Sequence, residues 1–315
     1  MSATEWSYLV FGIVIVLSVI FDFGLLSKRS QKISLKQATV QTAFWVSLGI
    51  GFGFFMWYEN GQVLAMEYLS AYLMEWGLSI DNIFVFILIF TYFGVDEKYT
   101  NRVLLIGILL AIILRILFIT VGIVLVERFS WLLYVFGAFL VYTGVKMFLI
   151  KAEHEFAPET NIVYRTLKKI VPFTTADSQG KFTLIKNGKR FFTTLFAVLV
   201  MLATTDLVFA LDSIPAVLAI TQHKLTIYTS NIFAVLGLRS LFFVLKGAVN
   251  KFKYLKEGIA VVLIFIGAKM LVEYFDIHVP IWLSLLVIIF CLTGAILFSI
   301  FISEKENRKT QANPR

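Results

Sequence analysis

Glu75-Trp-Gly-Leu-Ser79-Ile-Asp81-Asn82-Ile83 recurs as Asp206-Leu-Val-Phe-Ala-Leu-Asp212-Ser213-Ile214: an acid, five residues, an aspartate, a small polar residue and an isoleucine. Both copies lie inside long apolar stretches. An ionised carboxylate in hydrocarbon costs several kcal/mol, so such residues face a partner, a cavity or an ion path. Four of them, in duplicate, define the problem this chain poses.

Working outward, the 315 residues are 59% hydrophobic and 15% charged, which excludes an ordinary soluble globule and predicts an integral membrane protein. Stretches long enough to span about 30 Å of hydrocarbon run over 6–26, 38–57, 66–93, 103–126, 131–150, 194–220, 227–247, 258–275 and 281–302, so the expected fold is all-α and polytopic with about nine transmembrane helices. The first stretch reads as a genuine span, because no basic segment precedes it and no small-residue cleavage pattern follows.

Lysine and arginine fix the expected orientation. Lys28, Arg29, Lys32 and Lys36 follow the first span, Lys98 and Arg102 follow the third, and the 151–190 loop carries eight Lys/Arg. Those loops are expected in the cytoplasm, with the N-terminus outside and the C-terminus inside. The net charge of +8 is thereby accounted for by topology, and no nucleic-acid partner is expected. A single cysteine, Cys291, has no intrachain disulfide partner. There is no phosphate-binding loop or glycine-rich turn after a strand, so neither ATP-driven pumping by this chain alone nor an organic cofactor is expected.

The duplication extends beyond the acidic motifs. Asn101 to Gly107 resembles Asn231 to Gly237, and Gly144-Val-Lys146-Met147 resembles Gly267-Ala-Lys269-Met270. Four anchors in one order imply two units, helices 3–5 and helices 6–8. An odd number of spans per unit inverts the second relative to the first, as in many transporters whose substrate site lies at the repeat interface. The predicted organisation is 1–65 for the first two helices, 66–150 for the first repeat, 151–190 for a cytoplasmic loop, 191–275 for the second repeat, and 276–315 for the last helix and tail. Within the loop, Lys181 to Phe192 reads as a β-hairpin turning at Asn187-Gly188. The stretch from Tyr164 to Val171 carries Arg165, Lys168 and Lys169, and reads as either a leaflet-binding segment or a plain connector.

All four acids fall near the middle of their spans. Six residues on an ideal helix turn through about 600°, leaving the two acids of a motif about 120° apart and about 9 Å along the axis. Either the helices unwind, around Gly77 and Ser79 and near Pro215, or the acids serve two sites or successive stages of one pathway. The oxygen ligands on offer are Glu75, Asp81, Asn82, Asp206, Asp212 and Ser213, with Thr204, Thr205 and Asn231 as accessories. Such a set suits hard divalent cations, while His154, His223 and His278 fall in loops. Asn231 can equally serve a helix-to-helix hydrogen bond, and Asp22 either an interfacial anchor or an ion entrance. Arg115, Arg239, Lys146 and Lys269 are the candidate counter-charges or gate. They offer a third arrangement besides static ion pairing or a metal path: bases that neutralise the acids until metal arrives.

Three stretches, Glu75 to Phe86, Thr205 to Ala216 and Tyr228 to Ser240, resemble the signatures of the TerC family, and the chain is similar to its Alx-type branch over about residues 6 to 302. The resemblance implies a Mn²⁺ exporter in a bacterial inner membrane, in a family named for tellurium resistance. It places Glu75, Asp81, Asn82, Asp206, Asp212 and Ser213 at the acidic-motif positions. One departure is Ala203, where family members often carry Glu. The expected function is therefore divalent metal ion transport, most simply Mn²⁺ efflux by alternating access, with protons as the coupling ion. The alternatives are a non-transporting membrane scaffold in metal or tellurite stress and, more remotely, an intramembrane aspartyl protease. Apart from that last reading, the chain is expected not to be an enzyme.

Overall fold

A computed structural model of the chain describes residues 3–27, 33–149, 162–174, 180–186, 188–247, 255–275, 277 and 279–312. It is an all-α bundle with one small sheet. The order is α1 (Ala3–Ser27), α2 (Leu35–Asn60), α3 (Gln62–Tyr92), α4 (Glu97–Arg128), α5 (Leu132–Leu149), α6 (Ile162–Ile170), β1 (Phe173–Thr174), β2 (Thr183–Lys186), β3 (Lys189–Thr193), α7 (Thr194–Ile220), α8 (Lys224–Leu236), α9 (Leu238–Lys246), α10 (Leu255–Val272), a 3-10 turn (Glu273–Phe275) and α11 (Ile281–Ala312). Among the described residues, seven helices are long and apolar enough to cross a membrane. The α8–α9 pair makes an eighth if its halves form one span, and α1 adds the shorter apolar stretch Thr4–Ser18.

Helix ends follow local chemistry. The Ser34 hydroxyl accepts from the Gln37 N–H while the Gln37 side chain accepts from the Ser34 N–H, a reciprocal cap that starts α2. Gly61, at φ 91°, turns the chain between α2 and α3. Asp96 caps α4 through the Lys98 N–H.

Of the two alternatives for the acidic motifs, local unwinding is not the one seen. α3 is helical through Gly77 and Ser79, and α7 continues through Pro215. The break falls in the seventh predicted stretch instead: α8 and α9 meet at Gly237 with a bend of 41°. Gly237 lets the chain pass close to Trp45 of α2, whose Cβ would lie 3.3 Å from a side chain there.

Packing between the two predicted units is reciprocal. α3 packs on both α7 and α8, α7 packs on both α3 and α4, and α5 packs along α10. In the last pair the helices meet backbone to backbone. A methyl group on Gly144 would approach the Ala260 carbonyl oxygen to 2.7 Å, and one on Gly267 the Gly137 carbonyl oxygen to 2.6 Å. Gly144 and Gly267 are matched positions in the duplicated sequence, and so, seven residues earlier, are Gly137 and Ala260. Such small-residue contacts replace the hydrophobic effect as the force joining helices in lipid.

β2 and β3 pair antiparallel, with Lys186 opposite Lys189 and Gly188 at φ 74°, forming a hairpin where one was expected. Asn187 of its turn lies outside the described residues. β1 was not anticipated; it runs parallel to β3, with Phe173 opposite Phe192. α6 docks on the bundle through Tyr164, buried against Phe93 at the end of α3, and leaves Arg165, Lys169 and Ile170 exposed. The Arg102 guanidinium donates to the Gly180 carbonyl, tying this loop to α4. The hairpin thus marks one end of the bundle.

Candidate functional site

α4 presents Gly107, Ala111, Arg115 and Gly122 along one face, a spacing of whole turns. Side chains of α7 close on the two glycines: Leu202 would lie 3.3 Å from a Cβ at Gly107, and Ile214 3.1 Å from one at Gly122. The small residues above and below draw α7 onto α4 and so bring Asp206 to Arg115.

The contact is bidentate. Arg115 Nε donates to Asp206 Oδ2 at 3.0 Å and its NH2 nitrogen to Asp206 Oδ1 at 3.1 Å. The third guanidinium nitrogen, NH1, pairs with Glu75 Oε1 from α3. Glu75 is 0% exposed, Asp206 1% and Arg115 2%. The first acids of the two motifs therefore converge on one arginine at the centre of the bundle, and the formal charge of the three groups is −1. Glu75 Oε2 is buried and accepts no hydrogen bond among the described residues.

The second acid of the α7 motif does not join them. Asp212, six residues beyond Asp206, is half-buried and faces α5, where the Thr143 hydroxyl hydrogen-bonds its carboxylate and Lys146 is the nearby cation. Of the two alternatives left open for the acids of one motif, a local unwinding or separate sites, the α7 motif has the geometry of the second. With α7 unbroken, the turn between positions six apart points the two carboxylates to different neighbours. Asp81 continues α3, and its side chain lies outside the described residues.

The remaining candidates are dispersed. Asn82 and Ser213 are buried, and the Ser213 hydroxyl, like that of Ser79, has no hydrogen-bond partner among the described residues. Asn231 spends its Nδ2 on the Ile227 carbonyl of its own helix at 3.0 Å, leaving Oδ1 buried and unmatched. Thr204 donates back to Val200 at 2.8 Å, and Thr205 is half-buried beside Asp206. Arg239 is buried on α9, two residues past the break. Lys146 is exposed, with its amine 5.9 Å from the Tyr142 ring centre. Lys269 lies within electrostatic reach of Glu67 and Glu273. Among the described residues no group of three His, Cys, Asp or Glu forms a ready metal cluster.

Both sides of the triad are closed: at the hairpin end Lys246 of α9 pairs with Glu97 of α4 at 3.2 Å. Toward the hairpin, Phe86, Leu104, Ala111, Leu202 and Leu238 close on Asp206 and leave a gap too narrow to admit water. Away from it, cross-links close the bundle. Thr221 donates to Glu67, joining the end of α7 to α3. Thr120 and Tyr228 share a hydrogen bond at 2.7 Å, and Lys224 pairs with Glu127 at 2.8 Å, both joining α4 to α8. Sequence reasoning missed Thr143 and Thr221 because a lone threonine in an apolar helix carries no pattern of its own.

The family described as integral membrane protein TerC family matches residues 60–307. The chain is 40% identical over 298 residues to an uncharacterised membrane protein of Myxococcus xanthus, covering 95% of this chain and 92% of that one. It is 40% identical over 294 residues to one from Rickettsia felis, covering 93% and 97%. It is 39% identical over 311 residues to a Salmonella typhi protein named as a membrane-bound redox modulator, Alx, covering 96% of each. No solved structure matches the chain. The buried acidic motifs and their helices lie within the matched region, and the chain belongs to the TerC family of integral membrane proteins.

Proposed function

We propose that this protein moves a divalent cation, Mn²⁺ outward, across a bacterial inner membrane by alternating access around its buried carboxylates. The observation that carries the reading is the Glu75–Arg115–Asp206 triad. Two acids from duplicated motifs are held at the bundle centre by one base, with an excess negative charge and an acceptor oxygen left over. Buried ion pairs gain little net stability after desolvation, so a static role explains poorly why the acids occur in matched copies. In the transport reading Arg115 neutralises Glu75 and Asp206 until the metal arrives. Asp81, Asp212, Asn82 and Ser213 serve as further oxygen ligands or as a later stage of the path, and protons released into a gradient drive the exchange.

The reciprocal packing of α3–α5 against α7–α10 supports two inverted repeats. With α1 and the bent α8–α9 pair counted as spans, the chain crosses nine times, with its N-terminus outside and its basic hairpin loop in the cytoplasm. The cross-links opposite the hairpin fit a conformation closed on the outer side. The Salmonella relative's name points to redox effects. A chain with one cysteine supports reading such an effect as a consequence of metal handling rather than of dithiol exchange.

Mn²⁺ flux in proteoliposomes under a pH gradient tests the proposal, with wild type beside Asp206→Asn and Asp212→Asn. Flux that follows the gradient and needs both aspartates is the expected result. Wild-type flux at the level of empty liposomes, from protein verified as folded, overturns it in favour of a scaffold.

A further inference from the structure

We infer that Arg115 sets the charge of the ion carried: it is a tethered cation that a divalent ion displaces and a monovalent ion does not, and its return expels the cargo. This rests on the transport reading above and adds its specificity. The argument is charge arithmetic in a buried place. With the guanidinium seated, Glu75, Arg115 and Asp206 sum to −1. A monovalent cation in its place leaves the sum at −1 while stripping Arg115 of two bonds to Asp206 and one contact to Glu75. That exchange loses a bidentate pair without removing any buried charge. A divalent cation brings the two carboxylates to neutrality, and where an uncompensated charge is expensive this gain offsets the broken pair.

Two further features fit displacement. Glu75 Oε2, on a residue with no exposed surface, accepts no hydrogen bond among the described residues, so the carboxylate keeps a second oxygen for the ion that takes the guanidinium's place. And a guanidinium stays charged under all ordinary conditions. It cannot release the carboxylates by losing a proton, so the incoming ion and Arg115 compete directly for the same two acids.

The experiment uses the full-length protein in detergent and in proteoliposomes, with Mn²⁺ binding by calorimetry, thermal unfolding with Na⁺ exchanged for N-methylglucamine at constant ionic strength, and Mn²⁺ flux. Wild type is expected to bind and move Mn²⁺ and to unfold at one temperature in either monovalent salt. Arg115→Gln, left with two unopposed acids, is expected to bind Mn²⁺ about tenfold tighter or more, to gain thermal stability from Na⁺, and to lose net flux because nothing expels the ion. Arg115→Lys, which keeps the charge but not the fork, is expected to bind Mn²⁺ severalfold tighter than wild type. Arg115→Gln with Asp206→Asn leaves one acid in place of two and is expected to bind Mn²⁺ more weakly than Arg115→Gln alone. Should Arg115→Gln not fold, Arg115→Lys decides alone. Wild-type flux together with wild-type Mn²⁺ affinity in the Lys variant overturns the inference and leaves the transport reading standing. Wild type with neither binding nor flux overturns both.

Discussion

Where α5 meets α10, the helices touch through glycine, and a carbonyl oxygen occupies the space a methyl group would need. Where α3, α4 and α7 meet, three charged side chains fill the gap between helices. Both interfaces join one predicted repeat to the other, and both are buried. The first leaves no alternative arrangement, because displacing backbone requires moving a whole helix. The second is held by groups that, on the transport reading, another cation replaces. On that reading the bundle puts shape where it has to stay together and charge where it has to change.

The contrast breaks most visibly at Arg115. Arg115→Ala removes the sole cation touching Glu75 and Asp206 among the described residues. Stripping one partner from a buried pair costs about 3–5 kcal/mol, so thermal unfolding in detergent should shift down by the largest margin of any single change named here. Replacing all three together, as Glu75→Gln, Arg115→Met and Asp206→Asn, removes the charges along with the cation. That variant should recover most of the lost stability and show no thermal response to Mn²⁺. Failure to recover would mean that the triad is a structural element rather than an exchangeable one.

Next in size is the glycine seam. Gly267→Val and Gly144→Val each force a side chain against backbone, at about 1–3 kcal/mol by the measure of overpacked interiors. The reciprocal geometry predicts similar losses for the two. Gly51→Val is the control, since nothing lies within 4 Å of a Cβ there. Unequal losses at 144 and 267, read by melting temperature, would break the symmetry argued from the sequence.

Much of this was legible beforehand. The membrane helices announce themselves through apolar length, and most of their observed ends fall within a few residues of the expected ones, although α4 starts at Glu97 and α11 runs on to Ala312, beyond the apolar stretches. The hairpin announces itself through Asn187-Gly188 between alternating strands. The break at Gly237 was not legible, because both halves are apolar and glycine is common inside membrane helices. Pro215 misled in the opposite direction: neighbouring helices let α7 run on through it. Arg115 stood out as a charge in an apolar helix, but its partners lie 40 and 91 residues away, and only packing at Gly107 and Gly122 selects Asp206 over Asp212. β1 is two residues long and docks on β3 across a loop, too short to carry a period.

A finer probe separates the two acids of the second motif. Asp212 is half-buried and hydrogen-bonded to Thr143, so Asp212→Asn keeps an acceptor for that hydroxyl. Its stability should change by less than about 1 kcal/mol, while Mn²⁺ flux should fall to background if Asp212 lies on the path. Thr143→Val should leave flux measurable but reduced. Normal flux in Asp212→Asn would confine transport to the triad and make the motif's second acid a packing residue.

The smallest expected effect tests the loop against the bundle. Gly188 turns the β2–β3 hairpin at φ 74°, a backbone region that costs an L-residue about 1–2 kcal/mol. Gly188→Val should therefore loosen the hairpin locally, detectable as faster proteolysis between Lys181 and Phe192, without moving the melting temperature of the membrane helices. On the transport reading Mn²⁺ flux stays at the wild-type level, because the triad is reached through helices that the hairpin does not form. A scaffold that recruits partners through this loop predicts the reverse. It would lose its cellular effect with a damaged hairpin and keep it with Asp206→Asn, so the two variants measured side by side assign the function to one region or the other.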